Sequence, residues 1–153
     1  MSLRPVHTHD KDALLAFLQC HEATSLFAMS NLHSGVAMPS WLCAREVRIE
    51  GFVGLTASGT LLPQWPQGDW CAARNVLSGQ AITSVLGDDL QCQNCLEALG
   101  LGMAPKRLTR LEKGYSLTLD ALNMPPVLGF HLAALRTEDT ALCTAWRTRF
   151  NLE

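Results

Sequence analysis

The sequence predicts an α+β fold, a mixed and mostly antiparallel sheet flanked by helices on both faces. Three observations lead there. Short alternating segments between residues 41 and 65 are punctuated by turn signals. Two helical patterns with broad apolar faces precede them. Two strand–loop–helix units follow, and such a mixture packs as a sheet layer between helix layers.

Taken in order, Leu3 to Val6 reads as a first strand, and Thr8 as the N-cap of a helix from about Asp10 to Cys20. Leu14, Leu15, Phe17 and Leu18 give that helix a wide apolar face. A second helix runs from Ala23 to His33, with Leu26, Phe27, Met29 and Leu32 as its buried residues, and Gly35 and Pro39 close it. Val47 and Ile49 alternate with charged neighbours, the two-residue period of a strand with one solvated face. Turn signals at Glu50-Gly51 and Ser58-Gly59 divide the region into strands over 41–49, 52–57 and 60–65, an antiparallel meander. A helix of about eight to ten residues follows Asp69. Ala81 to Leu86 reads as a buried strand, leading through Gly87-Asp88-Asp89 into a helix that ends at Gly100 or Gly102. Tyr115, Leu117 and Leu119 mark a last strand, and Asn123-Met124-Pro125-Pro126 a linker.

Composition narrows the function classes. With 48% hydrophobic and 17% charged residues the chain folds rather than staying disordered. Its net charge of −2, without a basic run, points away from nucleic acid. No apolar run reaches the roughly 20 residues of a membrane span, and the N-terminus lacks a signal peptide's apolar core, so the expected location is cytoplasmic and no membrane partner is expected. Six cysteines are then expected as reduced thiols. Cys92 and Cys95 share one helical face, and no second ligand pair completes a zinc site, so they are expected as buried thiols without metal.

The candidate site is the segment after Leu62. A strand runs into Pro63-Gln64-Trp65-Pro66-Gln67-Gly68-Asp69, and a helix starts at Trp70. Strand, tight loop and helix N-terminus can present backbone N–H groups to an anion. Asp69 at the N-cap competes for those same groups. Trp65 and Trp70 bracket the loop as apolar anchors, with cofactor stacking as the alternative role.

The element order and three phrases resemble the Gcn5-related N-acetyltransferase superfamily, and within it the N-terminal half of tandem two-domain bacterial members. The phrases are Ser30-Asn31-Leu32, Gly54 through Gln64, and Val85 through Asp89 with Leu99-Gly100-Leu101. The resemblance implies a loop after the fourth strand, of pattern Gln/Arg-x-x-Gly-x-Gly/Ala, whose amides hold the pyrophosphate of acetyl-CoA. Started at Gln64, that pattern places Gln67 and Asp69 where small residues belong, with Gly68 one position out of register. The cofactor-binding residues carried over are Gln67, Gly68, Asp69 and Trp70, as a degenerate loop. No catalytic residue is carried over. Tyr115 lies on the last strand rather than where the family's acid lies, and Glu46 and Glu50 read as solvent-facing charges.

A repeat supports a second unit. Leu3, Val6, Thr8, Asp10 and Phe17 recur as Leu132, Leu135, Thr137, Asp139 and Trp146, each step being 129 residues. The domains expected are a degenerate N-terminal domain over 1–122, a linker over 123–127, and the first strand and helix of a truncated second domain over 128–153. The parent is expected to transfer acetyl from acetyl-CoA to an amine, with this half inactive and binding no cofactor. Its expected partner is a second domain of the same polypeptide, or another copy through 128–153. The alternative is a non-catalytic module that binds a ligand or protein through the sheet groove.

Overall fold

In the computed structural model, residues 2–111 and 136–152 are described. The sequence-predicted strand at Tyr115–Leu119, the Pro-Pro linker and the strand opening the second unit lie outside them, as does Tyr115 itself. The chain divides into two units, 1–116 and 117–153.

In the first unit a sheet of five strands runs in chain order: β1 (Arg4–Pro5), β2 (Ser40–Arg45), β3 (Arg48–Leu55), β4 (Thr60–Gln64) and β5 (Ser84–Val85). The first four pair antiparallel, and β5 joins β4 in parallel. Helices α1 (Lys11–Gln19) and α2 (Glu22–His33) precede β2; α3 (Trp70–Leu77) connects β4 to β5, and α4 (Asp89–Ala98) follows. The fold is thus α+β with a mixed sheet, as the sequence predicts.

Strand alternation divides the core in two. Leu42, Ile49, Phe52 and Leu62 meet Leu14, Leu18 and Ala28 of α1 and α2. Cys43, Val53, Leu55, Leu61 and Trp65 meet Ala73, Leu77 and Cys95 of α3 and α4. Each face of the sheet therefore buries its own helix pair, a correction to the solvated face that the alternation at Val47 and Ile49 predicts.

The meander differs from expectation at one turn. The first hairpin reverses at Glu46-Val47, where Glu46 adopts a left-handed φ of 55° and Val47 is 95% exposed. Glu50-Gly51 lies inside β3 instead. Cys43 pairs with Gly51 and Ala44 with Ile49, so Glu50 is the extra residue of a β-bulge. The bulge turns Ile49 to the same face as Phe52, three residues on. The expected buried strand 81–86 is also corrected. Only Ser84 and Val85 pair, along the sheet edge, and neither is buried, because no further strand covers them among the described residues. On α2 the expected inward residues Leu26 and Phe27 are exposed, while Ser25 and Ala28 are buried.

The opposite edge is blunted. Pro5 has no N–H to offer, and the Arg4 guanidinium donates to the Pro5 carbonyl at 3.0 Å. Arg4 also grips the Asp10 carboxylate with two bonds of 2.7 Å.

In the second unit a single-turn 3-10 segment, Thr137–Asp139, opens α5 (Thr140–Leu152). It repeats the start of α1, where Thr8–Asp10 form the same turn. His7 and Arg136 take nearly identical N-cap angles, φ −108°, ψ 164° and φ −114°, ψ 168°. Each donates its backbone N–H to an Asp three residues on, at 2.8 and 2.9 Å. The likeness stops at the cap. Leu14 and Leu18, buried on α1, correspond to Cys143 and Arg147, and the apolar stripe of α5 is shifted by one residue to Leu142, Trp146 and Phe150.

Candidate functional site

The loop from Trp65 to Asp69 folds around an indole. Trp65 is 1% exposed, and its ring lies against two glycines. A Cβ on Gly51 would fall 2.1 Å from the ring, and one on Gly68 2.3 Å. No side chain fits at either position, so both glycines serve as the floor for this ring. Trp70 packs beside it with centroids 5.6 Å apart, tilted by 60°. Behind them stand Ala73, Leu77 and Cys95, which complete the apolar enclosure.

Part of the backbone here is engaged. The Trp65 N–H donates to the Gln91 side-chain oxygen in a short hydrogen bond reaching across from α4. Gly68 N–H donates to the Trp65 carbonyl at 3.0 Å, and Ala72 N–H to the Asp69 carbonyl at 2.9 Å. Pro66 has no N–H to give. Asp69 does occupy the N-cap of α3, but its carboxylate accepts no capping bond and is exposed. The equivalent residue of α4 behaves as an ordinary cap: Asp88 accepts from Gln91 N–H at 3.1 Å.

The four residues expected to bind cofactor thus lie together on one loop, in unlike settings. Gln67 and Asp69 are exposed, Gly68 is half-buried against Trp65, and Trp70 is buried. Gln64, where the family pattern starts, points to the other face of the sheet. Its oxygen accepts from Thr24 Oγ1 at 2.7 Å, and its amide nitrogen is buried without a protein partner among the described residues. A pyrophosphate needs unengaged amides, close backbone approach and no opposing charge. Gly68 is crowded by the indole and the Asp69 carboxylate stands on the same loop, so close approach and the absence of opposing charge are the two requirements that coenzyme A would find unmet here.

Trp65 and Trp70 are the buried anchors the sequence predicts, whereas Gly51 and Gln91 were the residues that sequence reasoning missed in these roles. Gly51 resembled a turn signal. Gln91 lies 26 residues from the N–H it binds, with no periodicity connecting them.

The remaining candidates are displaced from this loop. Glu46 sits at an exposed turn, and Glu50 pairs with Arg45 at 3.3 Å. Cys95 is fully buried, but Cys92 is only half-buried, a correction to the expectation that both are buried. Burial pushes the Cys95 thiol up to about 12, aided by neighbouring Cys92; burial and then Asp88 and Asp89 push Cys92 up to about 11. Such thiols stay protonated and are poor nucleophiles or metal ligands. Among the described residues, no group of three or more His, Cys, Asp or Glu could hold a metal ion. No helix among them is long and apolar enough to cross a membrane.

An apolar groove of about 420 Å³ lies elsewhere, between the end of β1 and the C-terminal end of α2, lined by Pro5, Val6, Leu32, Met38, Pro39, Ser40 and Trp41. Comparison with protein-family models, with curated proteins and with solved structures finds no match to this chain.

Proposed function

We propose that this chain is the N-terminal, acetyltransferase-like half of a tandem enzyme that transfers acetyl from acetyl-CoA to an amine, and that this half supplies packing rather than chemistry. The observation that carries the reading is the strand order. Four antiparallel strands in sequence are followed by a fifth parallel to the fourth, with α3 crossing between them, the order on which the Gcn5-related resemblance rests. The repeated cap at Asp10 and Asp139 supports a second, related unit. Acetyl transfer requires that thioester and amine be oriented, a proton removed and the oxyanion met by backbone amides. Since the indole against Gly68 and the Asp69 carboxylate disfavour a pyrophosphate at this loop, those tasks belong to the second domain.

Calorimetry of the chain with acetyl-CoA tests this. The expected result is no saturable heat at millimolar cofactor. Micromolar binding with release of free thiol in the presence of amines would overturn the assignment of this half as inactive.

A second reading is a non-catalytic binding module of the same fold. It is favoured by the groove beside Trp41, which is apolar and independent of the loop after β4.

A further inference from the structure

We propose that the Arg107–Leu108 peptide bond is a processing site for an endoprotease of trypsin-like specificity, which cuts the first unit from the second. The site does not depend on the acetyltransferase reading.

Access is the first reason. Ala98 and Leu99 are the last residues packed against the core on the α3 and α4 side, and Gly100 closes α4 at φ 74°. Ala104 N–H still donates to the Leu101 carbonyl at 3.0 Å. Residues 105–109 then make no backbone hydrogen bond among the described residues, and every residue from Met103 to Leu111 is exposed. An endoprotease binds its substrate as an extended strand, through main-chain hydrogen bonds on both sides of the scissile bond. In a helix or a paired strand those groups are already engaged, so cleavage there waits for local unfolding. At Arg107–Leu108, the four residues before the bond and the four after it are all exposed.

Charge is the second. Lys106, Arg107 and Arg110 stand within one short segment, and the sequence holds no Asp or Glu from 98 to 111. A protease with an acidic primary pocket selects Arg or Lys immediately before the cut bond. Every other described Lys or Arg stands in a helix or strand or, for Arg136, at a helix cap. The cluster at 106–110 alone lies outside these elements among the described residues.

Position is the third. Among the described residues, neither core of the first unit draws on a side chain beyond Leu99, and the second unit begins at 117. Hydrolysis between these points removes no described core side chain. Water adds to the Arg107 carbonyl carbon and the C–N bond breaks, leaving a carboxylate on Arg107 and an ammonium on Leu108.

Limited digestion of the full chain by trypsin, with mass spectrometry of the first products, tests the site. Most of the first new C-termini should be Arg107, and a majority of first cuts at any other Lys or Arg overturns the assignment. Lys106→Gln combined with Arg107→Gln should slow loss of the intact chain about tenfold, since the remaining sites need local opening. An unchanged rate of loss overturns the proposal. Independently, the amides of residues 106–109 should exchange within about tenfold of an unstructured peptide, and stronger protection overturns the claim of access. The nicked chain should keep the blue-shifted fluorescence of buried Trp65 and Trp70. Its loss at the first cut would show that the first unit does not survive processing.

Discussion

Asp10 is a buried carboxylate with every oxygen engaged. Arg4 donates two hydrogen bonds of 2.7 Å to it and the His7 backbone a third of 2.8 Å. The Arg4 hydrogen bonds above all hold its pKa well below the ordinary carboxylate range; burial opposes them less strongly, and the His7 N–H adds a still smaller lowering. The folded value lies below the unfolded one of about 3.9. The stabilisation is therefore complete above that pH and is lost as pH falls through the folded value. Urea midpoints should fall steeply below about pH 4 in the wild type. Asp10→Asn should be less stable at neutral pH and lose less on acidification. Asp139 repeats the same backbone bond, but the bond is exposed and the carboxylate half-buried with exposed neighbours, so Asp139→Asn should change little. At this scale the sequence was legible for Asp10 as the opener of a helix, although the cap before the first turn is His7 and not Thr8. It was not legible for Gly51, because a glycine required by a ring from another segment looks the same as a glycine required by a turn.

Elements were readable where one periodicity decided them. Trp70, Ala73 and Leu77 are spaced for one helical face, and α3 buries these three. α4 was equally plain, with Asp88 as its cap and Gly100, at φ 74°, closing it. The strand over 81–86 was not, because a short apolar run reads the same whether it is central or at an edge, and here only two residues pair. α2 misled for another reason. Its apolar residues lie all round, so the sequence does not choose which of Ser25 or Phe27 faces inward. In the second unit, α5 leaves Leu142, Trp146 and Phe150 exposed, Trp146 by 66%, on one stripe. Exposed stripes of this type promote association. Trp146→Lys combined with Phe150→Lys should leave the helical circular dichroism unchanged and lower light scattering at high protein concentration. Unchanged scattering would show that the stripe makes no contacts in solution.

For the first unit as a whole, the two-sided core predicts how stability is distributed. β3 is central, pairs on both sides, and contributes Ile49, Phe52, Val53 and Leu55 to one core or the other. β1 and β5 are edge strands with two residues each. Native-state hydrogen exchange should therefore be slowest in β3 and fastest in β1 and β5, and equal rates across the sheet would contradict this picture. The chain-order sheet has one more consequence, for synthesis. Apart from β1, which waits for β2, each strand finds its neighbour among residues already made. Contacts between near neighbours in sequence close small loops, so pairing can proceed as the chain leaves the ribosome. The exceptions are the two edges: β1 lies some thirty-five residues before β2, with α1 and α2 between, and β4 some twenty residues before β5, with α3 between. Until α4 emerges with Gln91, the end of β4 has no partner for its last N–H. The sheet is thus assembled from its N-terminal side, and the Trp65 joint is the last part of it to close.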